Sequence, residues 1–265
     1  MQASVESVTL AAFFRFFILA PAGRCPAATE SMLDVLYDDG PCLVINKPSG
    51  VLTQAPAGID SLEIQVKEFF REREGKPADA NIYLGLPHRL DRPVSGAIVF
   101  ARHVRAAQRL SAQFENRTIN KSYWAFVEGV VTPDEGTWTD YLHKRHGMAQ
   151  AEVVTADHPA AKHAVLHYRV MWQGPTGAWL EIELETGRTH QIRIQSSSRG
   201  HAVVGDSQYG STQPFGDPRL DEREKPIALH ARQLGFRHPM TNEPVDIVAP
   251  LPATWDALNL PIDLL

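Results

Sequence analysis

The sequence predicts an α+β fold built on a mixed, mostly antiparallel sheet that is flanked by helices. Strand-like segments outnumber helical ones, and the two kinds do not alternate regularly, as they do in parallel α/β folds. Residues 179–185 alternate apolar side chains with glutamates, which indicates a strand with one face in solvent. No repeat, long linker or low-complexity stretch interrupts residues 32–265, so we expect a single domain there.

The other predicted elements are short strands and a helix. Apolar runs rich in β-branched and aromatic residues predict strands at 42–46, 97–101, 123–127 and 164–171. Residues 103–116 form the clearest helix, since apolar residues recur there every three or four positions: Val104, Ala107, Leu110 and Phe114. Arginines lie on the opposite face, an arrangement that by itself is typical of a solvated helix: Arg102, Arg105 and Arg109.

Composition and charge limit the classes of protein to consider. The 265 residues are 43% hydrophobic and 22% charged, as in ordinary globular proteins, and they contain two cysteines, Cys25 and Cys42. Two cysteines exclude a disulfide framework, so we expect a reducing, cytoplasmic environment. The net charge of −5 argues against a strongly basic nucleic-acid binder. It does not exclude RNA, because only the field over the binding groove must be positive.

The N-terminal segment 8–23 is apolar but does not satisfy the requirements of a targeting sequence. It is shorter than the roughly 20 residues that a membrane span needs, and Arg15 lies in its middle. The only charge before it is Glu6, whereas a secretory signal begins with basic residues. We therefore expect residues 1–31 to be a poorly ordered extension that precedes the domain at 32–265.

A first candidate site lies in the segment 88–96, immediately before the strand at 97–101. Asp91 is placed between Arg89 and Arg92 on a loop that Pro93 and Gly96 delimit. Opposite charges nearby favour the ionised carboxylate, as a nucleophile requires. On spacing alone, an aspartate that binds loop amides and pairs with an arginine is the preferred interpretation.

A second candidate site follows the alternating strand, in the segment 186–193. Thr186 and Gly187 form a turn, and no acidic residue occurs between Thr186 and Gly205. If a helix begins near Thr189, His190 and Arg193 lie three residues apart on one face and address the same ligand. A surface helix with polar capping residues is the alternative interpretation.

The local charge indicates a polyanionic partner. Between His88 and Lys121 seven arginines and lysines occur against two acidic residues. Tyr123 and Trp124 follow directly and offer the aromatic surface on which an unpaired base stacks. Because neighbouring residues of a strand point to opposite faces, only one of the two aromatics is expected to line a site.

We expect neither a metal ion nor an organic cofactor. The histidine pairs His143 with His146 and His163 with His167 have no carboxylate at a spacing that suits a shared ion. The second pair lies in a strand-like segment, where residues four apart are separated by about 13 Å. No glycine-rich phosphate loop is present.

Taken together, the motifs resemble those of the RluA-type family of RNA pseudouridine synthases. HRLDRPVSG is similar to the aspartate motif HRLDxxTSG of that family, with Val94 in place of the threonine. VINKPSG, NKSYWAFVEG, ETGRTHQIR, GHAVVGDSQYG and LHARQLGFRHPMTNEP resemble its other segments in the same order. The similarity extends from about Met32 to Pro252. It implies a pseudouridine synthase fold with a central active-site cleft, and a monomer without cofactors.

The resemblance also implies roles for individual residues in the isomerisation of uridines in ribosomal or transfer RNA. Asp91 matches the catalytic aspartate, Tyr123 the tyrosine that packs on the target base, and Arg193 the basic partner of the aspartate. Arg89 matches the arginine that helps to extrude the target nucleotide. We expect further RNA contacts from the basic residues of both motifs, of the helix and of its following strand: His88, Arg92, Arg105, Arg109, Lys121, Arg188 and His190.

Two other functions compete with this one. The first is an RNA-binding protein, such as a ribosome-assembly factor, that has kept the fold without turnover; turnover of bulk RNA separates it from the enzyme. The second is a glycosidase, which requires two carboxylates that flank one bond. Asp91 has no evident acidic partner in the sequence, so this reading ranks last.

Overall fold

Ten strands in the described part of the chain form a single mixed sheet. The computed structural model describes residues 33–145, 147 and 150–261, so the predicted extension 1–31 and His146 lie outside the described residues. The strands are β1 Val35–Asp39, β2 Cys42–Lys47, β3 Ser95–Ala101, β4 Asn120–Val127, β5 Glu135–Lys144, β6 Ala151–Val154, β7 Lys162–Gly174, β8 Gly177–Leu184, β9 Leu229–Arg237 and β10 Pro244–Val248. The α-helices are α1 Leu62–Arg73, α2 Val104–Glu115 and α3 Gln191–Ser197.

The strand order confirms the predicted mostly antiparallel sheet. The path runs β1-β2-β3-β9-β4-β8-β7-β5-β6, and β10 pairs with β9 at its side. Strands β3 and β9 pair in parallel, whereas the other neighbours along the path are antiparallel. Strand β9 therefore lies between β3 and β4, although it comes late in the sequence.

Buried side chains cover both faces of the sheet at β2 and β3. Leu43 and Ile45 point to the side of α1, where they join Phe70, while Val44 and Val99 point to the side of α2. Strands that are covered on both faces read as continuous apolar runs, which explains why 42–46 and 97–101 show no alternation. Strand β8 keeps the predicted alternation, with Leu180 and Ile182 buried and Glu183 exposed.

The helix predicted at 103–116 is confirmed as α2, and Ala107, Leu110 and Phe114 of its predicted apolar face pack towards the core. Ala106 and Leu110 are its buried residues, and Val104 is 53% exposed. Ala106, in the same turn as Val104, is fully buried in the cluster that covers this face of β2 and β3. The prediction that Val104 faces the core was therefore wrong.

Among the described residues, no helix has both the length and the apolarity needed to cross a bilayer.

The histidines His163 and His167 both lie in strand β7, as the sequence indicates. His163 packs beside Tyr141, and His167 contacts Thr137, so the two rings have different neighbours.

A glycine is required where β3 runs beside β9. Gly96 has a φ of +116°, and a Cβ there meets the backbone oxygen of Ala231 at 2.3 Å. We expect Gly96→Ala to lower the free energy of unfolding by about 2–4 kcal/mol, because both the backbone and the strand spacing must change. Urea unfolding followed by tryptophan fluorescence measures this loss.

Gly58 provides the matched control for this substitution. Its φ of +86° is also positive, but a Cβ there meets nothing within 4 Å. Gly58→Ala therefore pays the backbone strain alone, about 1 kcal/mol. Equal losses in the two variants contradict the importance of the close approach at Gly96.

Candidate active site

The predicted site residues meet around a cavity of about 600 Å³ beside the centre of the sheet. Its walls come from the loop before β3, the end of α2, strand β4 and the connection from β8 to α3. We call it the Asp91 cavity. The two motifs that the sequence analysis singled out therefore face each other across one space.

The loop that carries Asp91 is fixed to the end of β2 by buried hydrogen bonds. The Lys47 ammonium, which is fully buried, donates to the backbone oxygens of Pro48 at 2.8 Å, Arg92 at 3.2 Å and Val94 at 2.8 Å. Thr53 Oγ1 donates to the Leu90 oxygen at 2.8 Å. These bonds hold the backbone on both sides of Asp91, which limits the positions of its carboxylate.

Burial has a large effect on Lys47. It lowers the pKa of the ammonium to about 7, since the charged form is poorly solvated there. The negative charge of Asp91 opposes this shift and favours the protonated form. Lys47 lies in the segment VINKPSG, where no sequence pattern predicts a role for it.

Two cationic or donor groups approach the Asp91 carboxylate from the β8–α3 connection. Arg193 Nη1 lies 3.6 Å from Oδ2, and His190 Nε2 lies 3.7 Å from Oδ1. The helix begins at Gln191 and not near Thr189, so His190 reaches Asp91 from the residue before α3, while Arg193 reaches it from the first turn. Such distances shorten when a substrate closes the site.

Arg193 is held in this orientation by a second acid, Asp206. The guanidinium donates to both carboxylate oxygens, with Nε 2.6 Å from Oδ2 and Nη2 2.8 Å from Oδ1. Both side chains are buried. Burial opposes the charge, but the hydrogen bonds and charge of Asp206 raise the pKa of Arg193 above its ordinary value. The remaining nitrogen, Nη1, is thereby directed at Asp91.

Tyr123 lines the cavity on β4, whereas Trp124 belongs to the core, as the strand geometry predicts. Trp124 is 6% exposed and packs edge to face on Trp179, with the ring centroids 4.7 Å apart. Burial and the charge of Asp91 raise the pKa of the Tyr123 phenol. The phenol is therefore protonated at neutral pH and presents a hydrogen-bond donor and an aromatic face to the cavity.

The basic residues of the first motif have different surroundings. Arg89 is exposed, lines the Asp91 cavity and has no ion pair within the described ranges. Arg92 does not line the cavity; its Nε donates to the Gly50 oxygen at 2.7 Å. His88 Nε2 accepts a hydrogen bond from the Val99 amide at 3.1 Å, and the ring stacks on Phe114. Burial and the Lys121 charge lower the pKa of His88 to about 3, so its ring is neutral.

Lys121 and Arg188 belong to the cavity wall, while two predicted RNA contacts lie elsewhere. Burial lowers the pKa of Lys121, whose ammonium lies 6.0 Å from the Phe114 ring centre. Arg188 Nε donates to the His163 oxygen at 2.9 Å. Arg105 and Arg109 line neither this cavity nor its neighbour, and Arg109 donates to the Pro239 oxygen.

A second cavity of about 790 Å³ adjoins the first and is also basic. The two share residues 187–189, so Arg188 borders both. Lys144 and Lys162 line the second cavity, are exposed and form no ion pair with any residue that the structure describes. We call it the Lys162 cavity. Arg145, also in its wall, is neutralised by Glu152.

This geometry defines the class of protein. A carboxylate with a buried arginine beside it, in the wall of a cavity that also has an exposed cation, suits an enzyme that acts on a polyanion. Comparison with known proteins identifies the family: a family model described as RNA pseudouridylate synthase matches residues 41–198, and the chain belongs to that family. It is an RNA pseudouridine synthase, an isomerase, as the sequence motifs indicate.

Individual relatives agree with this assignment, and a solved structure shares the fold. A ribosomal large subunit pseudouridine synthase D of Pseudomonas aeruginosa is 35% identical over 232 residues, which are 85% of this chain and 70% of the relative. An uncharacterised RNA pseudouridine synthase of Synechocystis is 33% identical over 85% of this chain and 68% of its own length. The structure of human RNA pseudouridylate synthase domain containing 4 has the same fold, with a TM-score of 0.67 and 24% identity. That match covers 85% of this chain and 92% of the human one.

Proposed function

We propose that the enzyme isomerises uridines in large-subunit ribosomal RNA, with Asp91 as its catalytic carboxylate. The relative from Pseudomonas aeruginosa and one from Neisseria meningitidis, 32% identical, carry this substrate in their names. The observation that supports the role of Asp91 is the approach of Arg193 Nη1 and His190 Nε2 to its two oxygens. A ribosomal substrate also agrees with the cytoplasmic location that the cysteine usage indicates.

The reaction requires little beyond the groups in the Asp91 cavity. The bond between N1 of uracil and C1′ of the ribose breaks, the base turns, and a bond from C5 to C1′ forms. C5 loses a proton and N1 gains one, so the reaction is balanced without a co-reactant. Asp91 either attacks the ribose or assists departure of uracil, and its ionised form is required in both cases. Arg193 stabilises the negative charge on this carboxylate.

Tyr123 and Arg89 are proposed to handle the target nucleotide. A uridine in folded RNA must leave its stack before it reaches the cavity, which costs a few kcal/mol. The aromatic face of Tyr123 provides a new stacking partner for the extruded base. Arg89 is exposed at the cavity and is free to fill the space that the base leaves in the RNA.

Release of tritium from RNA labelled at C5 of uridine tests this function. The purified enzyme is incubated with transcripts of large-subunit ribosomal RNA and of transfer RNA, and the modified positions are mapped by carbodiimide labelling and primer extension. We expect release from the ribosomal transcript at discrete positions. Release from transfer RNA alone contradicts the proposed substrate. Tight RNA binding without release from either transcript favours the non-catalytic RNA-binding protein.

We also propose that the phosphate backbone of the RNA runs from the Asp91 cavity along the Lys162 cavity. Lys144 and Lys162 have no ion pair in the described ranges, and Arg188 connects the two cavities. Cations without an internal partner are the ones that gain most from phosphates, since no existing pair must be broken. The proposed path of the RNA backbone therefore follows the cations of the two cavities and does not require the arginines of α2.

Charge reversal at Lys162 measures this contact. We expect Lys162→Glu to weaken RNA binding about tenfold at low salt and to reduce the dependence of log K on log salt by about one unit. The matched control is Arg105→Glu, which makes the same change of charge at an exposed residue outside both cavities. Its effect should be smaller in a filter-binding titration. An equal loss of RNA affinity in Arg105→Glu would contradict the proposed path and indicate that the RNA runs along α2.

A further inference from the structure

His190 has an unusual backbone and an unusual side-chain position. Its φ of +54° is in the left-handed region, which costs energy for a residue with a side chain. It stands just before α3, but its side chain does not cap that helix. The ring instead lies between the Asp91 carboxylate and the hydroxyl of Tyr209. A strained backbone of this kind persists only where the surrounding contacts hold it in place. We therefore relate the backbone strain at His190 to the contacts of its ring.

Tyr209 is immobilised on several sides. Its hydroxyl oxygen accepts a hydrogen bond from the Ala151 amide at 2.9 Å, and its backbone oxygen accepts one from Ser197 Oγ at 2.5 Å. The Arg193 guanidinium lies over its ring, 4.9 Å from the centre. The phenol therefore presents its hydroxyl to His190 in a fixed direction.

The contact between the Tyr209 hydroxyl and His190 Nδ1 bears on which ring nitrogen carries the hydrogen. A phenol has one proton to donate, and the candidate acceptors are His190 Nδ1 at 2.8 Å and the Ala151 oxygen at 3.5 Å. The shorter contact is the stronger one, which favours donation from the hydroxyl to Nδ1 over donation to the Ala151 oxygen. In a neutral imidazole the other nitrogen then carries the hydrogen, and that nitrogen, Nε2, faces Asp91.

We propose that Tyr209 and His190 are positioning residues, in which the Tyr209 hydroxyl selects the His190 tautomer that directs an N–H at Asp91. The catalytic consequence of this inference rests on the proposed function, whereas the tautomer of His190 does not depend on that function. The neutral ring directs an N–H at the carboxylate, 3.7 Å away, without adding a second positive charge beside Arg193. The carboxylate is thus oriented by both groups while it is compensated by one cation.

The charges around the ring agree with a neutral His190. The titratable groups that face it are Asp91, Arg193, Asp206, Lys144 and Tyr209. Burial lowers the pKa of His190, the charge of Asp91 opposes this, and Arg193 adds to the lowering. Burial also raises the pKa of Tyr209, so its hydroxyl keeps its proton. Protonation of His190 on Nδ1 must displace the proton that Tyr209 donates, which further favours the neutral ring.

Tyr209→Phe tests the proposal through the pH profile. Loss of the donor stabilising the neutral ring raises the pKa of His190, so the acid limb of single-turnover isomerisation should move to higher pH by roughly half to one unit. We expect the rate at neutral pH to fall about tenfold with the RNA affinity within twofold. Tyr168→Phe is the control, since it removes a hydroxyl bonded to the Pro133 oxygen, outside the cavity, and should leave both quantities unchanged.

Nitrogen-15 NMR of the histidine rings provides a readout that requires neither RNA nor turnover. In the wild-type enzyme, Nδ1 of His190 should have the shift of an unprotonated nitrogen and Nε2 that of a protonated one; His190→Gln assigns the signals. In Tyr209→Phe this tautomer should no longer dominate. A hydrogen on Nδ1 in the wild type overturns the proposal.

The kinetic outcomes separate this proposal from the proposed function. If the wild type releases no tritium from any transcript, the proposed function fails while the NMR result still decides the tautomer. If the wild type is active and Tyr209→Phe has the same rate and the same acid limb as the wild type, the positioning role is wrong and the proposed function stands. A loss of RNA affinity without a change of the pH profile also contradicts the positioning role.

Discussion

Replacing the Asp91 carboxylate by an amide is expected to abolish isomerisation while the enzyme still folds and binds RNA. Asp91→Asn removes the ionised oxygen that the reaction requires, so we expect the single-turnover rate to fall at least about 1,000-fold. The side chain is 29% exposed and lies at 3.6 Å from Arg193, so it contributes little to the fold. Removing a negative charge from a cavity that binds a polyanion does not weaken that binding.

Three measurements on the same preparation check this result. Tritium release reports turnover, a filter-binding titration reports RNA affinity, and the urea midpoint reports the fold. A gene replacement carrying Asp91→Asn should also lack the same pseudouridine positions as a deletion strain. Substantial turnover by the variant would contradict the assignment of Asp91. Loss of RNA binding together with turnover would instead make Asp91 a recognition residue.

Breaking the buried pair of Arg193 and Asp206 is expected to have the largest effect on stability. In Asp206→Asn the guanidinium stays buried but loses the charge that compensates it, which costs about 3–5 kcal/mol in comparable pairs. Arg193 Nη1 is no longer held towards Asp91, so we also expect the rate to fall by about tenfold to a hundredfold at temperatures where the variant is folded. Urea unfolding and single-turnover kinetics measure the two losses.

Asp217→Asn is the matched control for the buried pair. Asp217 also pairs with an arginine, Arg219, but that guanidinium is 87% exposed and solvent compensates its charge. The urea midpoint of this variant should stay close to that of the wild type. Similar losses in the two variants would show that burial of the Arg193 pair does not contribute to stability.

The central strands and the opposed motifs were predictable because they leave local signals in the sequence. The apolar runs at 42–46 and 97–101 became β2 and β3, and the motif that contains His190 and Arg193 lies beside Asp91. The missed α1 also had a local signal, since Ser61 accepts from the Ile64 amide as an N-cap before an apolar run. That helix could have been predicted.

The residues that support the site had no such signal. Lys47 follows an apolar strand, and its three acceptors include carbonyls that are 45 and 47 residues further along the chain. Asp206 and Tyr209 belong to a motif that the resemblance identified, but their partners Arg193 and His190 are set by the folded chain. A spacing rule describes neighbours on one element and cannot specify contacts between elements.

The central position of β9 has a consequence for the synthesis of the enzyme. Strand β9 pairs with β3 on one side and with β4 on the other, so it joins two groups of strands. The Asp91 loop leads into the first group, whereas Tyr123 and Arg193 belong to the second. During translation these groups emerge from the ribosome well before Leu229–Arg237. The nascent chain is therefore expected to acquire its active site late, when the ninth strand closes the sheet, and truncation before that strand should yield no partially active product.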